Sequence, residues 1–239
     1  MELKSDARGL FIEGMTDSTE LSNYLKRKFK DEDIQKTYES LTKNHIKTAR
    51  SQDITPLSKF WQTLDESYKK IPPLKCDKGC AHCCHTGVAA TKVEWDGILN
   101  NILKNKIDLE KVIERSKRTI DRVRESLRSK KNLEQVDWHR LVINQPCPFL
   151  GEGHACIIYE DRPLDCRLVV AFRGQCESKK LEHAQRGVVI EETVGATVIA
   201  KIQHDQTPKF KRRKFQGAQP LKLLQHWLII WQEKNNKKR

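Results

Sequence analysis

Long apolar runs are missing from this 239-residue chain. The longest candidate, Leu221–Trp231, falls well short of the ~20 apolar residues that span a bilayer, which argues against a transmembrane segment. Hydrophobic residues make up only 37% of the chain and charged residues 32%, against about a quarter charged in an average globular domain, so the core is expected to be thin for the length. The opening Met1-Glu-Leu-Lys-Ser-Asp-Ala-Arg8 offers no apolar stretch of signal-peptide type. The expectation is a cytoplasmic protein with its thiols reduced. No Ser/His/Asp triad, phosphate-cradling glycine loop or dinucleotide fingerprint shows at motif spacing, which counts against a familiar hydrolase, kinase or dehydrogenase.

What the chain does have is cysteine, in two clusters. Cys76, Cys80, Cys83 and Cys84 form the first, and Cys147, Cys156, Cys166 and Cys176 the second. Thiolates three or four residues apart converge on a soft metal from one loop, while distant ones must be carried there by the fold. Structural disulfides would need an oxidising compartment. Buried free thiols do not explain so dense a run, and a redox or nucleophilic site needs one or two cysteines rather than eight. All eight are therefore candidate metal ligands. Cys83 and Cys84 are adjacent, so their side chains diverge unless the backbone bends; one of them serves a second metal or the two bridge a pair. His82 and His85 could also ligate, although a solvent-facing or outer-layer role is the default for each. The wide spacings from Cys147 to Cys176 differ from the tight pairs of zinc ribbons. Zinc, iron and a four-thiolate iron–sulfur cluster all remain open.

The run Cys76-x3-Cys80-x2-Cys83-Cys84, with Cys147-Pro-Phe-Leu150 and Cys156-Ile-Ile-Tyr-Glu-Asp-Arg-Pro-Leu-Asp-Cys166-Arg167 later, resembles the YkgJ-type cysteine-cluster family of zinc- or iron-chelating proteins. The resemblance spans residues 76 to 176. Flagellin lysine methylases are similar in cysteine pattern. The resemblance implies a metal site more firmly than any reaction, and it leaves open whether the protein is an enzyme.

Around the cysteines the periodicity is helical. Leu21, Tyr24, Leu25 and Phe29 share a face behind Asp17 and Glu20, which are placed like a capping box, and Ile34, Tyr38, Leu41 and His45 continue the spacing. Thr55 caps and Pro56 opens a helix whose stripe is Leu57, Phe60, Trp61 and Leu64. Residues 1–15 show no sustained period. Between the cysteine clusters, Thr91 and Glu94 form a second capping box ahead of Trp95, Ile98, Leu99, Ile102 and Leu103. Asp108 opens a further helix with Leu109, Val112, Ile113, Ile120, Val123 and Leu127 inward. These two helices should make a hairpin that brings the cysteine halves together. Arg167 could serve a thiolate or anion, or form a salt bridge to Asp161 or Asp165. A charged helix is expected to run through Arg186; the β-branched run after it fits two short strands or a buried helix. The fold expected is mainly α: a helical shell around a cysteine-rich, loop-built metal centre, with at most a few short strands. The divisions expected are 1–72, amphipathic helices; 73–186, the metal-binding domain with its helical insert 91–130; and 187–239.

Charge is concentrated at the C-terminal end. Residues 201–239 hold 11 Lys and Arg against 2 Asp and Glu, which is +9 of the net +13. Lys209–Phe215 holds five cations, four of them between Phe210 and Phe215, a pattern that binds phosphate and stacks bases or meets an acidic protein. A helix opened by Pro220 follows. Three functions are consistent with these residues: a metal-chelating protein, an iron–sulfur-dependent modification enzyme of methylase type, or a zinc-stabilised nucleic-acid-binding protein.

Overall fold

Thr55 and Pro56 begin the first helix whose whole logic is visible in the structure. The Thr55 hydroxyl accepts the Ser58 N–H at 3.0 Å, and Pro56 occupies a first-turn position whose missing N–H costs nothing. The resulting helix, Pro56–Tyr68, buries Leu57, Phe60, Trp61, Leu64 and Tyr68 along one face. The protein is described by a computed structural model, and residues 3–6, 9–13, 27–44, 49, 54–69, 80–85, 87–128, 145–168, 185–187, 189–208 and 221–237 are described.

The architecture is mainly helical. In chain order the α-helices are α1 Asp31–Glu39, α2 Pro56–Tyr68, α3 Lys92–Lys104, α4 Glu110–Arg128, α5 Leu164–Arg167, α6 Glu191–Gln206 and α7 Leu224–Asn236. The strands are β1 Leu3–Asp6, β2 Gly9–Glu13, β3 Ala89–Ala90, β4 Gln185–Gly187 and β5 Lys222–Leu223. The strands β1, β2 and β4 make one antiparallel sheet, Leu3 facing Ile12 and Phe11 facing Gly187; β3 pairs with β5.

Two apolar cores organise the helices. In one, α2 meets α6 through Phe60, Trp61, Leu64, Val194, Val198 and Ile199, with Leu41 and Val93 closing it. The other gathers Ala81, Ala90, Trp95, Ile98, Ile102, Phe149, Ile158, Leu224, Trp227 and Leu228. Helix α3 faces both, giving Val93 to the first and Trp95 to the second. Helix α6 lets Leu164 of α5 approach closely because Gly195 has no side chain: a Cβ there would stand 3.1 Å from Leu164 Cδ2, and 3.7 Å, ordinary contact, from Phe60 of α2. Trp227 ties α7 to β3 by donating from Nε1 to the Ala90 carbonyl at 2.8 Å.

Several local expectations change. Leu3–Asp6 and Gly9–Glu13 pair as two strands rather than forming unpatterned chain, and β2 pairs in turn with β4, where a charged helix had been expected to end. The β-branched run resolves as the buried helix α6, whose Val194, Val198, Ile199 and Ile202 recur at helical spacing. Helix α7 starts at Leu224 because Lys222 and Leu223 are used in pairing with β3. Leu103 is 55% exposed, not inward. Helix α4 packs chiefly along α7, so the insert docks onto the C-terminal helix rather than folding only on itself. Of the helix expected from Asp17 to Phe29 only residues 27–29 are described, 27 and 28 of them helical, and His45 lies outside the described residues.

Candidate metal centre

Three short loops carry the described cysteines, each shaped by backbone hydrogen bonds. In the first, the Ala81 carbonyl accepts the Cys84 N–H at 3.0 Å and winds His82–His85 into one turn of 3-10 helix. The same carbonyl lies 3.0 Å from His85 Nδ1. A carbonyl only accepts, so Nδ1 carries a proton and, in the neutral ring, the lone pair sits on Nε2.

The second loop is a miniature hairpin running from Cys147 to Ile157. Leu150 N–H donates to Cys147 at 3.0 Å, Gly151 N–H to Ala155 at 2.7 Å, and Ile157 N–H to Phe149 at 3.0 Å. Gly153 and His154 turn the chain with φ of 62° and 60°. Cys147 and Cys156 thereby stand on the two legs. From outside, Arg115 of α4 donates to the Leu150 carbonyl at 2.6 Å.

The third loop, residues 159–167, presents Cys166 from α5, where Cys166 N–H donates to Pro163 at 3.0 Å. Two carboxylates hold it against the start of α3. Glu94 closes the Thr91 capping box with one oxygen, taking the Thr91 N–H at 2.7 Å, and with the other accepts the Leu164 N–H at 2.9 Å. Asp165 answers from the opposite side, accepting the Ala89 N–H at 3.1 Å. Burial pushes both carboxyls above their ordinary values; hydrogen bonds from Leu164 and Thr91 oppose the shift at Glu94, and the Ala89 bond opposes it at Asp165.

One bond joins the two cysteine halves directly: Cys147 N–H donates to the Cys84 carbonyl at 2.6 Å. Cys147 is buried in the same core that Cys84, Cys156 and Cys166 flank. Cys80 is partly exposed, and none of these five is disulfide-bonded to another of them. Cys83 lies in the 3-10 turn, but its side chain and that of His82 are outside the described residues, as are Cys76 and Cys176 altogether. Among the described residues, no three His, Cys, Asp or Glu side chains stand together as a metal site. The donors that are described are soft thiols on a shared core, a chemistry that suits zinc or iron.

Arg167 does not pair with Asp161 or Asp165. Asp165 takes the Ala89 amide, and Asp161 accepts from Asn101 Nδ2 at 2.5 Å. Arg167 reaches instead to α2, where Nη1 lies 2.7 and 2.9 Å from the two Asp65 oxygens, with its guanidinium 4.6 Å from the centre of the Trp61 ring. Burial depresses the Arg167 pKa, opposed mainly by Asp65. Reading the sequence missed Asp65; its one signal was an acidic residue four positions after Trp61, where it continues the face that Trp61 occupies. The basic stretch Lys209–Phe215 lies outside the described residues, and among the described residues no helix is long and apolar enough to cross a membrane.

Residues 75–188 match the model of the protein family described as CxxCxxCC, putative zinc- or iron-chelating domain. No curated protein and no solved structure matches the chain.

Proposed function

We propose, from the match of residues 75–188 to the zinc- or iron-chelating domain family, that the protein is a metal-chelating protein whose two cysteine clusters act as one donor set. The observation that carries this reading is the Cys147 N–H to Cys84 carbonyl bond at 2.6 Å, which sets the first residue of the late cluster against the last of the early one. Cys84, Cys147, Cys156 and Cys166 would supply thiolates from one core; Cys76, Cys80, Cys83 and Cys176 complete the proposed set. A bound metal would cross-link segments that a thin core holds only weakly.

The test is elemental analysis of the full chain purified without air, together with Cys84→Ser, Cys147→Ser and Cys166→Ser variants. Stoichiometric zinc in a colourless protein makes the centre a zinc site, and iron with sulfide in a brown one makes it an iron–sulfur site. Each serine variant should lose metal. Unchanged metal content in all three would sink the assignment of these ligands.

A further inference from the structure

The matched segment begins at residue 75, yet the most heavily bonded side chain beside a candidate ligand depends on a residue before it. Arg167, next to Cys166, is 3% exposed. Its Nε donates to the Arg162 carbonyl at 2.9 Å and its Nη2 to the Glu160 carbonyl at 2.5 Å. Those two bonds fold the guanidinium back over the segment that carries Cys166 and close residues 160–167 into a ring. On its remaining side the guanidinium meets Asp65 through both carboxylate oxygens and lies over Trp61. Asp65 itself keeps 44% of its side-chain surface exposed, whereas its partner is buried.

Given the metal-chelating role proposed above, on which this rests, we propose that Asp65 is a positioning residue of the metal centre, acting through Arg167 to set the backbone that presents Cys166. A buried guanidinium without its counter-charge is strongly unfavourable. Removing the Asp65 charge therefore drives Arg167 toward water and takes the Glu160 and Arg162 bonds with it. Cys166 then loses its fixed approach while remaining chemically intact. Helix α2 is on this account part of the centre.

The experiment loads the full-length protein with zinc, and separately with cobalt(II) as a spectroscopic probe, without air. It reads the rate of zinc transfer to a chromogenic chelator and the intensity of the thiolate-to-cobalt absorption. Asp65→Asn should release zinc about 10–100-fold faster, the range found when groups supporting a ligand are removed, and should weaken the thiolate absorption; Asp65→Glu should recover part of both. Tyr68→Phe is the structural control: it sits on the same helix and removes the bond to Glu192, so it should lower the melting temperature while leaving release rate and spectrum as in the wild type. Should Asp65→Asn not fold, Arg167→Lys keeps the charge but loses the fork, and the same changes are expected of it. Wild-type release and spectrum in every folded variant at Asp65 or Arg167, whatever its melting temperature, would overturn the proposal. A wild-type protein that takes up neither zinc nor cobalt would overturn the metal reading itself and this proposal with it.

Discussion

Glu94→Gln separates charge from shape at the carboxyl that joins α3 to the Cys166 segment. Glu94 is 4% exposed, and burial, aided by the charge on Asp165, holds its pKa above the ordinary carboxyl value of 4.5. A group raised in the folded state binds its proton more tightly there than in the unfolded chain. Its contribution is therefore fully present below about 4.5, its ordinary value, and is lost as pH rises through the folded-state value, each tenfold difference in proton affinity between the two states being worth about 1.4 kcal/mol. Glutamine keeps the size and removes the titration. It also costs stability at every pH, because a carboxylate serves Thr91 on one oxygen and Leu164 on the other, whereas an amide turns an NH2 toward one of those backbone donors; an orphaned buried N–H costs about 1–3 kcal/mol. Urea unfolding followed by circular dichroism from pH 4 to 8 reads both, and the difference between wild type and variant cancels the titration of the thiols, which is common to them. The wild type should lead by about 1–3 kcal/mol at the acid end, and that lead should shrink as pH rises. A constant difference would mean that Glu94 is not a raised carboxyl; a growing one would mean that its hydrogen bonds outweigh its burial.

Two further outcomes follow from the same geometry. Gly151→Ala places a Cβ 2.8 Å from Ile157 Cγ2 and 3.2 Å from the Ala155 carbonyl, so it should strain the hairpin that spaces Cys147 from Cys156 and lower stability by about 1–3 kcal/mol, read by thermal unfolding; an unshifted transition would show that the hairpin yields. Removing metal with a chelator should lower the melting transition steeply, since structural zinc sites contribute about 10–16 kcal/mol against the about 5–15 kcal/mol that holds a typical domain together; an unaltered transition would show that the metal is not structural.

The helices were legible because their signals are local. Thr55-Pro56 and the Thr91–Glu94 box act within one turn, and the stripes of α2, α3 and α4 repeat at helical spacing. The cysteine clusters were legible because thiols are rare and these are dense. What could not be read depends on which segments meet. Nothing within residues 1–15 reveals a pairing whose partner is β4, some 170 residues on. The β-branched run of α6 is ambiguous by composition and becomes a helix because α2 supplies an apolar face for it. Arg167 had acidic neighbours at hand in Asp161 and Asp165, yet those are drawn to Asn101 and Ala89, and the pairing that forms crosses from α5 to α2.

That last choice has a physical logic that extends to the whole centre. Beside the apolar packing of Phe149 and Ile158, four contacts that hold the cysteine loops in place are polar and cross between separate segments: Cys147 to Cys84, Ala89 to Asp165, Leu164 to Glu94, Arg167 to Asp65. A buried polar group is unfavourable until its partner arrives, so a half-built arrangement leaves N–H groups and a guanidinium stranded, and the contacts favour forming together. Apolar packing alone tolerates small slips of one surface over another, whereas a hydrogen bond fixes both distance and angle. In a chain that is 32% charged and 37% hydrophobic, directional bonds are the means by which loops without regular secondary structure can be held closely enough to present thiols to a metal. Their cost falls on stability rather than on precision, and a bound metal would restore that stability.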